Sequence, residues 1–159
     1  MIEPFRLFPV ALPRGRLMLC RLPGRSGDLA GDVATIASAG VSLVVSLTEA
    51  TELADLGVAD LPIALKNTGL AWRSFPVPDF GTPPTDADWA GLSLAIHERL
   101  AQGQTILVHC RGGLGRSGMV VLRVMIESGE DPASALARLR EIRPGAVETP
   151  EQEAWAHRR

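Results

Sequence analysis

Apolar and amphipathic stretches alternate along the chain, and this alternation predicts strands and helices in turn. Residues 16–20 and 41–47 are short aliphatic runs, the second rich in β-branched valine, and both predict buried strands. Between them, apolar residues recur at helical spacing from Asp28 until Gly40, which predicts a helix. Two strands joined by a helix predict a parallel pair.

The rest of the chain repeats this pattern. Residues 70–75 and 105–108 predict two further strands, and the run 119–126, apolar nearly all round, predicts a central helix covered by its neighbours. Another helix is predicted to start at Asp131-Pro132. One face of a long helix before the last strand is formed by Trp89, Leu92, Ile96 and Leu100. The order predicts an α/β fold, with a mostly parallel central sheet and helices on both faces.

A helix start is also predicted after the second strand. Ser46 and Glu49 have the spacing of a capping box, as Thr48 and Thr51 do more loosely, so a helix is expected from here through Leu56. On this interpretation the polar residues of the segment belong to the helix start and carry no chemistry. A further short helix is predicted over residues 61–66.

Composition and charge narrow the classes of function. The chain has 159 residues, 46% of them apolar, so a single domain over 1–159 is expected, with 1–15 as an N-terminal extension. A net charge of −2 gives no reason to expect nucleic acid or an anionic membrane as partner. No apolar stretch approaches membrane-spanning length and no signal peptide is evident, so a cytoplasmic monomer is expected.

The two cysteines cannot build a disulfide framework. Cys20 ends an apolar run and is expected to pack as a small buried side chain, although a redox partnership with Cys110 is an alternative. No cluster of histidine, cysteine and carboxylate residues has the spacing of metal ligands. Neither a metal nor another cofactor is therefore expected.

Candidate chemistry concentrates in residues 108–118, with the sequence VHCRGGLGRSG, which joins a predicted strand to a predicted helix. Its glycines allow successive backbone amides to converge on one point, and the positive end of the following helix faces the same point. Such a loop can hold a phosphate dianion. The residues expected to line this phosphate cradle are Arg111, Gly112, Gly113, Leu114, Gly115 and Arg116.

Four side chains of the cradle have expected roles. Cys110 lies under the amides, whose positive field favours the thiolate, a nucleophile. Arg116 can hold two phosphoryl oxygens with its planar guanidinium. Ser117 can bond the cysteine sulfur, and His109 is expected to orient the loop from behind.

The arrangement of His109-Cys110, five residues, then Arg116-Ser117 resembles the signature loop of cysteine-dependent protein phosphatases, the protein-tyrosine and dual-specificity superfamily. With its glycines the loop is similar in particular to that of the kinase-associated (cyclin-dependent kinase inhibitor 3) group, and the likeness extends from about Arg16 to His157. The resemblance implies a protein-tyrosine-phosphatase-like fold. It also implies a phosphoprotein substrate, hydrolysed through a cysteinyl-phosphate intermediate.

The family's mechanism requires a general acid on a loop before the cysteine. Asp79, in the turn-rich segment 75–84, matches the family's Pro-Asp, while the alternative is that it only caps a turn. Asp86 and Asp88 are better explained as residues at the start of the next helix. Ionised Cys110 acting with protonated Asp79 predicts a bell-shaped dependence of kcat/KM on pH.

The last motif allows two interpretations. In the family a glutamine in a late loop helps to position the hydrolytic water, which Gln152 could do, but Thr149, Pro150 and Gln152 also have the spacing of a capping box. Arg143 resembles a residue near the active site of some relatives, yet it also suits a helix end. Arg111 is expected to point outward and to tune the preference for charged substrates.

Two differences between this sequence and other members of the superfamily narrow the expected class of substrate. The chain contains no tyrosine and so lacks the phosphotyrosine-recognition loop of larger tyrosine phosphatases, and its cradle lacks the lysines typical of lipid phosphatases. Phosphotyrosine is the expected substrate, with phosphoserine and phosphothreonine as further ones. The alternatives are a rhodanese-like sulfurtransferase, an arsenate reductase of phosphatase-like design and a phosphoprotein-binding module without catalysis.

Overall fold

The computed structural model describes residues 4–158, which form one five-stranded sheet with seven helices. The strands are β1 (Phe8–Ala11), β2 (Arg16–Cys20), β3 (Val41–Ser46), β4 (Ala71–Ser74) and β5 (Thr105–His109). Their order across the sheet is β1-β2-β5-β3-β4, with β1 antiparallel to β2 and all other neighbours parallel. The predicted α/β fold with a mostly parallel sheet is confirmed.

The helices pack against the two faces of the sheet. They are α1 (Leu29–Ser38), α2 (Ala50–Asp55), α3 (Leu61–Asn67), α4 (Trp89–Ala101), α5 (Gly115–Glu127), α6 (Pro132–Ile142) and α7 (Pro150–Ala156). Side chains alternate along β2, so that Leu17 and Leu19 join the core shared with α4 to α7, while Met18 and Cys20 join the core shared with α1 to α3. Helices therefore cover both faces, as predicted.

Most predicted helix starts are confirmed by their caps. Asp28 accepts a hydrogen bond from the Gly31 N–H, and Asp131 accepts one from the Ser134 N–H with Pro132 in the first turn. Asp88 is likewise the N-cap of α4 and accepts from the Gly91 N–H. These caps satisfy amides that have no partner within the helix.

The predicted start of α2 is wrong. The capping box lies three residues later than expected, with Glu49 as N-cap and Glu52 as its partner. Ser46 instead ends β3, where it is buried beside β5. Ser46 pairs with His109 across β3 and β5, and the capping box is formed instead by Glu49 and Glu52.

Strand β1 was not predicted. It lies in the segment expected to be an extension, and it pairs with β2 so that Phe8 lies opposite Leu19 and Val10 opposite Leu17. Val10 is fully buried. Residues 8–11 therefore contribute to the sheet and, through Val10, to its core.

The carboxyl ends of the parallel strands lie at the same end of the sheet, and the loops that follow these strands meet there. These loops include the loop after β2, the loop 75–84 after β4 and the cradle after β5. Ligands bind at the carboxyl ends of strands in open α/β sheets. Within residues 4–158, no helix is both long and apolar enough to cross a membrane.

Candidate active site

The cradle holds the sulfur of Cys110 at its base. Cys110 follows β5 directly and is 3% exposed, and α5 begins five residues later at Gly115. The Gly113 N–H donates to Sγ over 3.3 Å, and Ser117 Oγ lies 3.3 Å from the same sulfur. Gly113 has a φ of 73°, and a Cβ there would lie 2.6 Å from the backbone nitrogen of Arg21. Only glycine fits this position.

The carbonyls of the cradle are bonded to groups outside it. Arg143 donates from Nε to the Gly113 carbonyl and from Nη2 to the Gly112 carbonyl, each over 3.1 Å. The guanidinium of Arg143 also lies over the ring of Phe8 on β1, 4.5 Å from its centroid. Arg143 therefore binds the outer side of the cradle.

His109 is fully buried behind the cradle and completes a chain of hydrogen bonds. Its Nδ1 lies 3.2 Å from the Cys110 carbonyl, and its Nε2 lies 2.5 Å from Ser46 Oγ, which accepts from Trp72 Nε1–H over 2.8 Å. A carbonyl only accepts, so Nδ1 carries the proton and Nε2 accepts the serine hydroxyl. Burial lowers the pKa of His109 to about 4, so the ring is neutral at pH 7.

Arg116 is 1% exposed and is held mainly by a carboxylate whose role the sequence does not indicate. Its Nη1 and Nη2 bond the two oxygens of Glu52 over 2.6 and 2.9 Å, which is bidentate geometry. Burial opposes the charge of the guanidinium, but the bonds to Glu52 outweigh it and raise the pKa of Arg116. Burial likewise opposes the charge of Glu52, but its bond to Arg116 lowers the pKa of Glu52.

The loop 75–84 closes over the same guanidinium. Arg116 Nη1 donates to the Val77 carbonyl over 2.9 Å, and Nη2 lies 3.2 Å from Asp79 Oδ1. The side chain of Asp79 is 40% exposed, so its carboxylate contacts both Arg116 and the solvent at the mouth of the site. The structure thus brings Asp79 to the cradle from 31 residues earlier in the chain than Cys110.

Gln152 is fully buried and forms the predicted capping box with Thr149. The Gln152 N–H donates to Thr149 Oγ1, and Gln152 Oε1 accepts from the N–H groups of Thr149 and Glu148. Gln152 Nε2 donates to the Gly81 carbonyl over 3.1 Å. The same residue therefore caps α7 and holds the loop 75–84.

A cavity of about 330 Å³ forms the mouth of the site. It is lined by Arg25, Asp79, Phe80, Arg111, Gly112, Leu114 and Glu148. The side chain of Phe80 is 61% exposed here, so the mouth offers an aromatic surface as well as charge. The loop that carries Arg25 is bonded to the cradle because the Leu22 N–H donates to the Arg111 carbonyl over 3.1 Å.

Three residues of the site carried no signal in the sequence. The local sequence around Ser46 and Glu52 is typical of a helix start, and nothing in the sequence around Glu148 indicates a role at the site. Cys20 is fully buried, as predicted, and burial raises the pKa of its thiol. Among residues 4–158, no group of three or more histidine, cysteine or acidic residues could hold a metal ion.

The chain is similar to proteins of known family over most of its length. A family model described as "Swiss Army Knife protein, DSP-PTPase phosphatase domain" matches residues 14–156. Cyclin-dependent kinase inhibitor 3 of Rattus norvegicus is 31% identical over 153 residues, which cover 89% of this chain and 70% of that protein. Protein tyrosine phosphatase type IVA 3 of Homo sapiens is 34% identical over 85 residues, which cover 52% of this chain and 49% of that one.

Solved structures of phosphatases have a fold similar to that of this chain. Kinase-associated phosphatase, solved with a serine in place of its catalytic-site cysteine, superposes with a TM-score of 0.87 at 25% identity, covering 98% of this chain and 93% of that one. The active form of Tk-PTP superposes with a TM-score of 0.70 at 32% identity, covering 89% of this chain and 88% of that one.

Proposed function

The chain belongs to the DSP-PTPase family of cysteine-dependent protein-tyrosine and dual-specificity phosphatases, and on that premise we propose that it hydrolyses phosphotyrosine in phosphoproteins through a cysteinyl-phosphate intermediate. The family and the protein-tyrosine-phosphatase-like fold expected from the cradle are confirmed. The substrate, the intermediate and the role of each residue are the proposal.

One observation carries this proposal: Cys110 and Asp79, from separate loops, both interact electrostatically with the guanidinium of Arg116. The sulfur lies at the base of the cradle that Arg116 closes, and the Asp79 carboxylate lies 3.2 Å from Arg116 Nη2 at the mouth. A phosphoryl group bound by Arg116 would therefore have a nucleophile on one side and an acid on the other. In-line displacement needs this arrangement.

In the first step Cys110 attacks phosphorus as a thiolate. The S–P bond forms while the bond to the ester oxygen breaks, and protonated Asp79 delivers its proton to that leaving oxygen. Arg116 and the cradle amides stabilise the charge that spreads over the equatorial oxygens. The substrate phosphate would take Arg116 Nη2 from Asp79, which frees this carboxyl group to face the leaving oxygen.

In the second step water attacks the cysteinyl phosphate. The O–P bond forms, the S–P bond breaks, and the electron pair returns to Cys110 Sγ, which Ser117 Oγ is placed to stabilise at 3.3 Å. Asp79, now ionised, accepts the proton of the water. Inorganic phosphate then leaves the cradle.

The mouth of the site is suited to an aryl phosphate that is part of a protein substrate. Phe80 presents an exposed aromatic ring beside the cradle, where it can contact the phenyl ring of phosphotyrosine. The relatives of the kinase-associated group, cyclin-dependent kinase inhibitor 3 and the solved kinase-associated phosphatase, are named for kinases, which supports a phosphoprotein substrate. Phosphoserine and phosphothreonine are proposed as further substrates.

A sulfurtransferase of rhodanese type is the alternative activity. It also uses a cysteine in a loop of amides, but sulfur transfer has no leaving oxygen to protonate, so it needs no general acid at the position of Asp79. Transfer of sulfur from thiosulfate to cyanide, with no phosphatase activity, would favour this alternative.

Hydrolysis of p-nitrophenyl phosphate tests the proposal. Vanadate is expected to inhibit and EDTA is not. Cys110→Ser should abolish turnover, and Asp79→Asn should lower kcat/KM by about 10²–10⁴-fold, the size of a general-acid contribution. Full activity of Asp79→Asn would contradict the role of Asp79. Peptides of one sequence carrying phosphotyrosine, phosphoserine or phosphothreonine then rank the substrates.

A further inference from the structure

The acceptor capacity of Gln152 is fully used in this structure. An amide oxygen has two lone pairs, and Gln152 Oε1 accepts from two backbone N–H groups, those of Glu148 at 2.9 Å and Thr149 at 3.2 Å. The Gln152 side chain also donates to the Gly81 carbonyl. Gln152 Oε1 therefore has no lone pair left to accept a hydrogen bond from a catalytic water.

Glu148 brings a second carboxylate, besides that of Asp79, to the mouth of the site. A Cβ built on Gly115, the first residue of α5, would lie 2.2 Å from Glu148 Oε1, so the carboxylate lies directly against the cradle. Glu148 also lines the mouth cavity together with Asp79. Among residues 4–158, no side chain bonds or pairs with the carboxylate of Glu148, which leaves its oxygens available as acceptors.

The backbone before Glu148 is strained in a way that fixes this position. Val147 has a φ of 64°, in the left-handed region that a β-branched residue rarely adopts. Its N–H donates to the Leu114 carbonyl of the cradle over 3.1 Å, and its carbonyl accepts from Arg140 Nη2 over 3.0 Å. The surrounding contacts thus hold a costly conformation that directs Glu148 toward the cradle.

We propose that Glu148 positions the water that hydrolyses the cysteinyl phosphate, an inference that rests on the proposed function. The Glu148 carboxylate accepts a hydrogen bond from one hydrogen of the water, and Asp79 accepts the other as a proton. The water oxygen bonds to phosphorus while the S–P bond breaks and its electron pair returns to Cys110. Arg25 and Arg111, which line the same mouth, offset the repulsion between Glu148 and the phosphate.

Single-turnover kinetics test this role, with enzyme in excess over p-nitrophenyl phosphate. Release of p-nitrophenol reports the first step, and release of inorganic phosphate reports the second. In Glu148→Ala, phosphate release should lag behind p-nitrophenol release by about tenfold or more, while the phosphoryl group stays on Cys110 and is detected by mass spectrometry after acid quench. The rate of p-nitrophenol release should stay within about twofold of that of the wild type, because the first step does not use the water.

Two further variants separate the proposed role from a change in charge or in fold. Glu148→Gln keeps an acceptor oxygen and should restore much of the rate of phosphate release. Glu151→Ala removes an exposed carboxylate from the first turn of α7, outside the mouth cavity, and should release both products together. Phosphate release that keeps pace with p-nitrophenol release in Glu148→Ala would overturn the inference. A wild-type protein that releases no p-nitrophenol would instead overturn the proposed function.

Discussion

Replacing His109 with asparagine should reduce the loss of stability at acid pH, which is measured as the fall in the free energy of unfolding between pH 7 and pH 4. His109 is fully buried and neutral, and its pKa is lowered by burial from the ordinary 6.5 to about 4. Between these values the unfolded chain binds a proton at His109 that the folded chain excludes. The free energy of unfolding therefore falls as the pH falls from about 6.5 to about 4.

The size of the effect follows from the difference in pKa. Each pKa unit corresponds to about 1.4 kcal/mol, so the wild type should lose about 3 kcal/mol between pH 7 and pH 4 through His109 alone. Asparagine places an amide N–H where Nδ1 donates to the Cys110 carbonyl, but it does not titrate. His109→Asn should be less stable at pH 7, because Ser46 loses its acceptor, and should lack this part of the fall.

Denaturation by urea at a series of pH values measures both quantities. The comparison is the change in free energy of unfolding from pH 7 to pH 4 in the wild type and in His109→Asn. His97→Gln is the control, since it removes a partly exposed imidazole on α4 and should keep most of the fall. Equal falls in the wild type and in His109→Asn would refute a buried, neutral His109.

Two further variants test how Arg116 is oriented and how charge at the mouth selects substrates. Glu52→Gln breaks the bidentate pair with Arg116 and should lower kcat/KM for p-nitrophenyl phosphate by about 10- to 100-fold, whereas Glu49→Gln at the N-cap of the same helix should not. An unchanged kcat/KM in Glu52→Gln would contradict the orienting role. Arg111→Glu should lower the ratio of kcat/KM for acidic over basic phosphotyrosine peptides by about fivefold or more, and added salt should shrink the difference. A ratio that does not change would show that Arg111 does not contact the flanking residues.

The local parts of the site could be predicted from the sequence. Cys110, Arg116 and Ser117 lie within eight consecutive residues, so the spacing alone places them around one point once a strand and a helix flank them. The capping box of Thr149 and Gln152 is local in the same way.

The contacts that support the cradle could not be predicted, because their partners are far apart in the chain. Glu52 and Arg116 are separated by 64 residues, and Ser46 and His109 by 63. Ser46 and His109 lie opposite each other in the register of β3 and β5, while Glu52 and Arg116 lie on the helices that follow these two strands. Local propensity favours a helix cap for Ser46, and the tertiary pairing overrides it.

Strand β1 was missed for a different reason. It has four residues, includes Pro9 and pairs on one side only, which is typical of an edge strand with a weak signal. Its alternation is too short to separate it from a loop.

The stacking of Phe8 beneath Arg143 decides where this protein can be trimmed. The match to the family model starts at residue 14, so a chain shortened to that boundary would keep every residue of the cradle and yet lose the aromatic ring that lies under the Arg143 guanidinium. The family model thus covers a narrower part of the chain than the one that supports the cradle. A shortened form of this protein should therefore begin before Phe8, the first residue of β1.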